Sequence, residues 1–172
     1  MDYFYSPPEN ISATSLVIDG EEFAHLVHVM RKKEGDQICV VDGRGAAYDV
    51  RLGEIKHKMV HATIHRIHQG HHEPLRNVVV AVGILKNPSK FDFLVEKVTE
   101  LGVKRIVPLV TERTIPDHAK SERWQKLALA AMKQCGRAYL PQVDKLTPLA
   151  EFLSEPVVSD LKLIAHEKAN ER

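Results

Sequence analysis

Glu112 and Arg113 end the run E-K-V-T-E-L-G-V-K-R-I-V-P-L-V-T-E-R at 96–113, and a second polar set, Gln134-Cys135-Gly136-Arg137, follows it. A carboxylate can take up a proton, and a guanidinium presents planar donors to phosphate or carbonyl oxygens. Glu100, inside the same run, adds a second carboxylate. Such residues matter only if the fold delivers them to an edge where a ligand can sit. The run reads as the end of an amphipathic helix, a glycine stop and a buried strand, which places Glu112 and Arg113 at the strand's carboxyl end. In open α/β sheets that edge is where ligands bind.

The elements that hold these residues follow from periodicity. Residues 77–85 are nearly all apolar, as expected for a parallel strand buried on both faces. Ser89, with Asp92 three residues on, is expected to cap a helix whose core stripe is Phe91, Leu94, Val95, Val98 and Leu101, stopped by Gly102. Residues 105–110 form the next predicted strand. Ser121 then caps a helix with Trp124, Leu127, Ala128, Ala131 and Cys135 inside, Thr147-Pro148 opens a shorter one, and 161–165 make a third strand. The right-handed crossover rule makes these strands largely parallel.

The first part of the chain has a different texture. Residues 3–5, 16–18, 37–41, 47–52 and 59–67 read as short strands, and Asp42-Gly43-Arg44-Gly45 has hairpin chemistry. One short helix, capped by Asp19 and Glu22, carries the stripe Phe23, Leu26, Val27 and Met30. This pattern predicts a small, partly open OB-like β-barrel. The polar segment His68-Gln69-Gly70-His71-His72-Glu73-Pro74 reads as a linker. The chain therefore divides into units at 1–70 and 75–172.

Composition sets outer bounds. Of 172 residues, 44% are hydrophobic and 27% charged, as in ordinary globular domains. No apolar run approaches the roughly 20 residues that span a bilayer, so no membrane partner is expected. The amino terminus lacks a signal-peptide pattern. Cys39 and Cys135 have no metal-type spacing and fit a reduced, cytoplasmic setting. A net charge of +1 leaves local basic patches to decide nucleic-acid binding. Arg31-Lys32-Lys33 with Arg44 at the hairpin tip form one candidate phosphate footprint, and Lys86, Lys90 and Lys97 another, with Lys90 and Lys97 on one helix face. His57, His61 and His65, followed by His68, His71 and His72, lack a closed ligand set and read as the polar face of a barrel strand, so no metal is expected. His25 is expected to pack on the barrel. No glycine-rich loop follows any strand, which argues against a flavodoxin-type nucleotide binder.

Several of these motifs carry a family resemblance. His25-Leu26-x-x-Val29-x-Arg31, Gly35-Asp36 and Asp42-Gly43 resemble the amino-terminal domain of RsmE, the ribosomal RNA small-subunit methyltransferase E of the SPOUT class. Lys86-x-x-x-Lys90, Glu96-Lys97-x-x-Glu100-Leu101-Gly102-Val103, Pro108-x-x-Thr111-Glu112-Arg113 and Gln134-x-Gly136-Arg137-x-x-x-Pro141 resemble the opening of its catalytic domain. The resemblance implies a PUA-like RNA-binding barrel followed by a trefoil-knotted α/β methyltransferase domain that dimerises. It also implies methyl transfer from S-adenosylmethionine to the N3 of a uridine in small-subunit ribosomal RNA.

Uridine N3 carries a proton at neutral pH, so this transfer needs a base or a stabilising cation. Glu112, Glu100, Arg113 and Arg137 are the candidate catalytic residues. Arg31, Lys32, Lys33, Arg44, Lys86, Lys90, Lys97 and Gln134 are the candidate RNA contacts. The family's G-P-E-G-G loop and L-R-x-E-T-A segment do not occur in the sequence, and the polar stretch 166–172 cannot cover a sheet face. The α/β unit is therefore expected to be incomplete before the knot, with the cofactor site beyond Arg172. The alternative is a non-catalytic RNA-binding module that keeps the barrel and half of the α/β unit.

Overall fold

The computed structural model describes residues 2–112, 114, 121–156 and 161–165. Its first unit contains β1 (Tyr3–Tyr5), β2 (Ser15–Ile18), α1 (Gly20–Ala24), β3 (Gln37–Val41), β4 (Ala46–Lys56) and β5 (Met59–Gln69). The strands form one sheet in the order β1-β3-β4-β5-β2, in which only β1 and β3 run parallel. Alternation places Ile38, Val40, Val50, Leu52, Val60 and Ala62 inside, with Phe4, Leu16, Ile18 and Leu26. Burying each large apolar side chain contributes about 1.5–3 kcal/mol. The edges β1 and β2 do not pair. The Ser6 hydroxyl donates to the Val17 carbonyl at 2.8 Å and links them, so the barrel is partly open.

Two local details differ from expectation. Asp19 sits in the cap position of α1 but makes no side-chain cap bond, and Glu22 instead accepts from the Tyr5 amide and the Lys133 ammonium. The anticipated capping box is absent because its carboxylate is used across the molecule. His57 is in a turn, not a strand. It and Lys58 have φ of 51° and 62°, as a two-residue turn joining long twisted strands requires.

The second unit contains β6 (Val79–Gly83), α2 (Pro88–Glu100), β7 (Arg105–Val110), α3 (Ser121–Cys135), β8 (Gln142–Val143), β9 (Thr147–Pro148) and α4 (Leu149–Ser154). β7 is central, parallel to β6 on one side and to β8 and β9 on the other. Helices α2 and α3 cover one face with Phe91, Val95, Trp124 and Ala128 against Ile106, and the Phe91 and Trp124 rings lie 4.5 Å apart.

Here too the structure corrects the local reading. Asn87, not Ser89, caps α2 by accepting the Ser89 amide, while Asp92 accepts from Arg123 and Trp124 of α3. β6 is only half buried, with Val79 43% exposed, and Leu101 leaves the α2 stripe at 73% exposed. Thr147-Pro148 pairs with β7 as a short strand, and α4 starts one residue later. Residues 161–165 are exposed and in no ladder among the described residues. Apolarity qualifies a segment as a strand, but pairing makes it one, and β8 and β9 already occupy that side of β7.

The two units share a core. Cys39, Val41 and Ala47 of the barrel pack with Met132 and Ala138, flanked by Tyr3, Tyr5, Leu129 and Leu140. The barrel hairpin tip also bonds to the segment after α3, from the Gly45 amide to the Ala138 carbonyl and from the Leu140 amide to the Gly43 carbonyl, each at 3.0 Å. Gly43 has φ 73°, and a Cβ there would lie 3.2 Å from both Leu140 and Tyr5.

Candidate functional site

The carboxyl edge of β6 and β7 carries the first group of candidates. After β7 the chain turns through Thr111, whose amide donates to the Thr114 hydroxyl at 3.1 Å while the two hydroxyls bond at 2.8 Å. This turn holds Glu112 at the surface, where it is exposed. Arg113 lies outside the described residues. After β6, Lys86 is exposed, and Lys90 is exposed in the first turn of α2. Neither lysine has a carboxylate partner among the described residues. Glu112, Lys86 and Lys90 thus share an edge with the α2 amino terminus, an arrangement that favours anions.

Glu100 and Arg137 lie at the other end of the sheet. Glu100 ends α2 just before the turn into β7, and β7 is about 17–20 Å long. The Glu100 carboxylate accepts from Lys97 at 2.7 Å, which also neutralises that lysine. Arg137 donates from Nε to the Glu100 carbonyl at 2.6 Å and from Nη1 to the His72 carbonyl. Its guanidinium lies against Gly102, which has φ 84° and no room for a Cβ: one would fall 2.7 Å from Pro74 and 2.8 Å from Arg137. The three described candidate catalytic residues therefore do not converge. Glu112 stands at one edge, and Glu100 with Arg137 at the opposite edge. Lys90 and Lys97 separate in the same way.

The barrel candidates also divide. Arg31 is exposed and left-handed, with φ 53°, and it follows a π-helical turn at His25–Val29. Lys32 pairs with Asp2 at 3.2 Å, whereas Lys33 is exposed. Gln134 is exposed and lines a groove of about 430 Å³ with Asp2, Tyr3, Phe4, His25, Met30 and Lys133. The fold thus brings Gln134 of α3 beside the Met30–Lys32 turn of the barrel. Arg44 is exposed at the hairpin tip, but its backbone pairs with Tyr139. His25 rests on Phe4 with ring centroids 5.9 Å apart, as expected.

Sequence reasoning missed the residues that join the units. Glu73 accepts the Lys104 ammonium at 2.6 Å and the amides of Ala138 and Tyr139 at 3.1 and 3.0 Å. His68, His71 and His72 gather beside it. The punctuators of a linker were legible, but nothing in it signalled that His68, His71 and Glu73 would be partly buried. No cluster of three or more His, Cys, Asp or Glu suited to a metal occurs among the described residues. No helix among them is long and apolar enough to cross a membrane.

Comparison with known proteins fits this architecture. Residues 71–172 match a family model described as an RNA methyltransferase domain, and residues 18–64 match an RNA methyltransferase PUA domain. Ribosomal RNA small subunit methyltransferase E of Bacillus subtilis is 30% identical over 168 residues, which cover 93% of this chain and 64% of that protein. The chain belongs to the ribosomal RNA small subunit methyltransferase E family. The Synechocystis member of that family is 29% identical over 150 residues, covering 86% of this chain and 48% of the relative. A crystal structure of the Neisseria gonorrhoeae member bound to S-adenosyl methionine superposes with a TM-score of 0.77 at 28% identity, covering 90% of this chain and 65% of that one. The chain thus spans about half to two thirds of the length of these family members.

Proposed function

We propose that this chain serves S-adenosylmethionine-dependent methylation of the N3 of a uridine in small-subunit ribosomal RNA. In this reading it acts in the cytoplasm on the RNA or the small subunit, as a homodimer of knotted domains. The observation that carries the proposal is the shared core between a PUA-type barrel and the opening of a methyltransferase domain. RNA-holding and catalytic units joined in this way keep a fixed reach from one to the other.

Within the proposal, Lys86 and Lys90 contact the RNA backbone at the carboxyl edge, with Arg31, Lys33 and Gln134 on the barrel side. Glu112 is better placed than Glu100 to receive the N3 proton, because Glu100 is committed to Lys97 and lies at the other edge. Arg113 is the neighbouring cation for developing negative charge on the uracil oxygens. No group among the described residues is assigned to S-adenosylmethionine. The groove beside Gln134 and a depression of about 300 Å³ on the barrel lined by Asp49, His65 and Arg66 both lie away from the carboxyl edge. We therefore assign the cofactor contacts to residues outside those described, and derive no step through it.

The PUA-type barrel supports a second reading, a non-catalytic RNA-binding module of the same family. Deleting the gene and measuring N3-methyluridine in small-subunit ribosomal RNA by mass spectrometry separates the two. Loss of the modified nucleoside is the expected result. An unchanged level, with the protein still crosslinking to the RNA, establishes the module instead. An unchanged level without crosslinking overturns both.

A further inference from the structure

Three imidazoles meet where the barrel joins the second unit. His68, at the end of β5, bonds through Nε2 to the Asp49 carboxylate at 2.8 Å, and its ring centroid is 5.6 Å from that of His71. His71 lies stacked on His72, with centroids 3.9 Å apart and planes at 27°. The Nε2 of His71 is 3.1 Å from the Tyr3 hydroxyl of β1. His72 donates from Nδ1 to the Gly136 carbonyl at 2.9 Å, since a carbonyl oxygen only accepts. The His71 amide donates to the Gly45 carbonyl at the hairpin tip. The stack thus touches β1, β4, β5 and the segment after α3.

The charges around the stack are already committed. Asp49 is engaged by His68. Both oxygens of Glu73 are taken, by Lys104 and by the amides of Ala138 and Tyr139. Glu100 pairs with Lys97, and the Arg137 cation bonds the His72 carbonyl. The thiol of Cys39, on β3, is pushed up to about 11 by burial and the nearby Asp49, so it supplies no negative charge at neutral pH. A proton arriving on His71 therefore finds Asp49 and Glu73 already hydrogen-bonded to other groups, and no further carboxylate bonded to His71 among the described residues. It also faces His72 in van der Waals contact, with the His68 ring on its other flank. A neutral His71 can accept the Tyr3 hydroxyl at Nε2, whereas a charged ring only donates.

We propose that the His68–His71–His72 stack is a pH-sensitive latch between the barrel and the second unit, closed when His71 is neutral and loosened when it takes a proton. Burial, then the flanking His72 and His68, holds the His71 pKa below its ordinary 6.5, with Asp49 and Glu73 opposing. The sign follows from this. A histidine with a depressed folded pKa contributes its full stabilisation above about 6.5 and loses it as pH falls through the folded value.

The seam reports on itself through the amides of Gly45, His71 and Leu140, which cross it. Their hydrogen exchange should be followed from about pH 7.5 to about pH 5, corrected for intrinsic rates and referenced to β4–β5 core amides. The expected result is a loss of protection at the seam, as pH falls, that the core amides do not share. In His71→Phe, which keeps an aromatic stack but cannot titrate, seam protection should stay level with pH. Proton resonance titration of the His71 ring in the unaltered chain provides a test that needs no variant, with a midpoint below 6.5 expected. A midpoint at or above 6.5, a seam that tracks the core, or equal pH dependence in His71→Phe overturns the latch.

Discussion

Arg137 Nε donates to the backbone carbonyl of Glu100 at 2.6 Å, so a residue two positions past α3 caps the end of α2. The same guanidinium reaches the carbonyl of His72 and covers Gly102. One side chain thus satisfies a helix end, fixes the linker and closes the amino edge of β7. This geometry assigns Arg137 a structural task at the seam.

Arg137→Ala should therefore cost stability directly. It leaves two carbonyls without their charged donor, and a loss of about 1.5–3 kcal/mol is expected. Arg137→Lys should recover only part, because a compact ammonium cannot span both acceptors as the planar fork does. Urea denaturation of the three proteins measures this. A loss below about 0.5 kcal/mol in the alanine variant would return Arg137 to the list of functional residues.

Glu73 should be the most sensitive acidic position in the linker. Its carboxylate and the Lys104 ammonium are largely buried, with side-chain exposures of 7% and 15%. Glu73→Ala leaves that ammonium and two backbone amides unpaired, and about 3–5 kcal/mol of destabilisation is expected. Lys104 also lies 3.7 Å from the Tyr139 ring centroid, so Glu73→Gln, which keeps the acceptor for the amides, should cost less. A thermal melt in which the two variants match would show that the backbone bonds contribute nothing.

The lysines of α2 and its approach should separate in RNA binding. Lys86 and Lys90 are exposed at the carboxyl edge, whereas Lys97 is held by Glu100. Lys86→Ala and Lys90→Ala should each reduce the magnitude of the salt-dependence slope of binding to small-subunit ribosomal RNA by about 1. Lys97→Ala should change it little. Filter binding across a salt series decides the point, and a larger effect at Lys97 would place the RNA on the other edge.

Acid should release α4 from the sheet. Hydrogen bonds from Arg105 hold the Glu155 carboxyl below its ordinary range, while Arg105, bonded first to Glu155 and then to Asp144, stays charged throughout. A depressed carboxylate contributes stability above its unfolded pKa and loses it as pH falls through the folded value. Glu155→Gln should thus be less stable than the parent near neutrality and equal to it in acid. Melting both proteins from about pH 7 to about pH 3 tests the sign, and a gap that persists in acid would refute it.

Much of the fold was legible in the residues because it rests on local patterns. Alternation in β3–β5, the α2 residues Phe91 and Val95 and the apolar run of β7 state which face each element buries. The glycine stop at Gly102 and the polar residues after β7 were equally local. The resemblance in order and spacing then named the family that the comparisons show.

What the tertiary structure decided were relationships between distant residues. Arg137 and His72 are 65 positions apart, and Glu73 reaches Ala138 over the same separation. Nothing in the periodicity of either segment encodes that meeting. Glu112 and Glu100 look like neighbours in sequence, but the strand between them carries them to opposite edges of a sheet. His68, His71 and His72 look like a solvated linker until Tyr3 of β1 bonds to His71 and the Gly136 carbonyl accepts from His72. The sequence by itself determined the buried faces of β3–β5, α2 and β7, because apolar spacing is a property of one element. Residues 161–165, though largely apolar, stayed exposed for want of a partner among the described residues. Only the packed structure decided which polar groups became partners, because partnership depends on how separate elements are brought together.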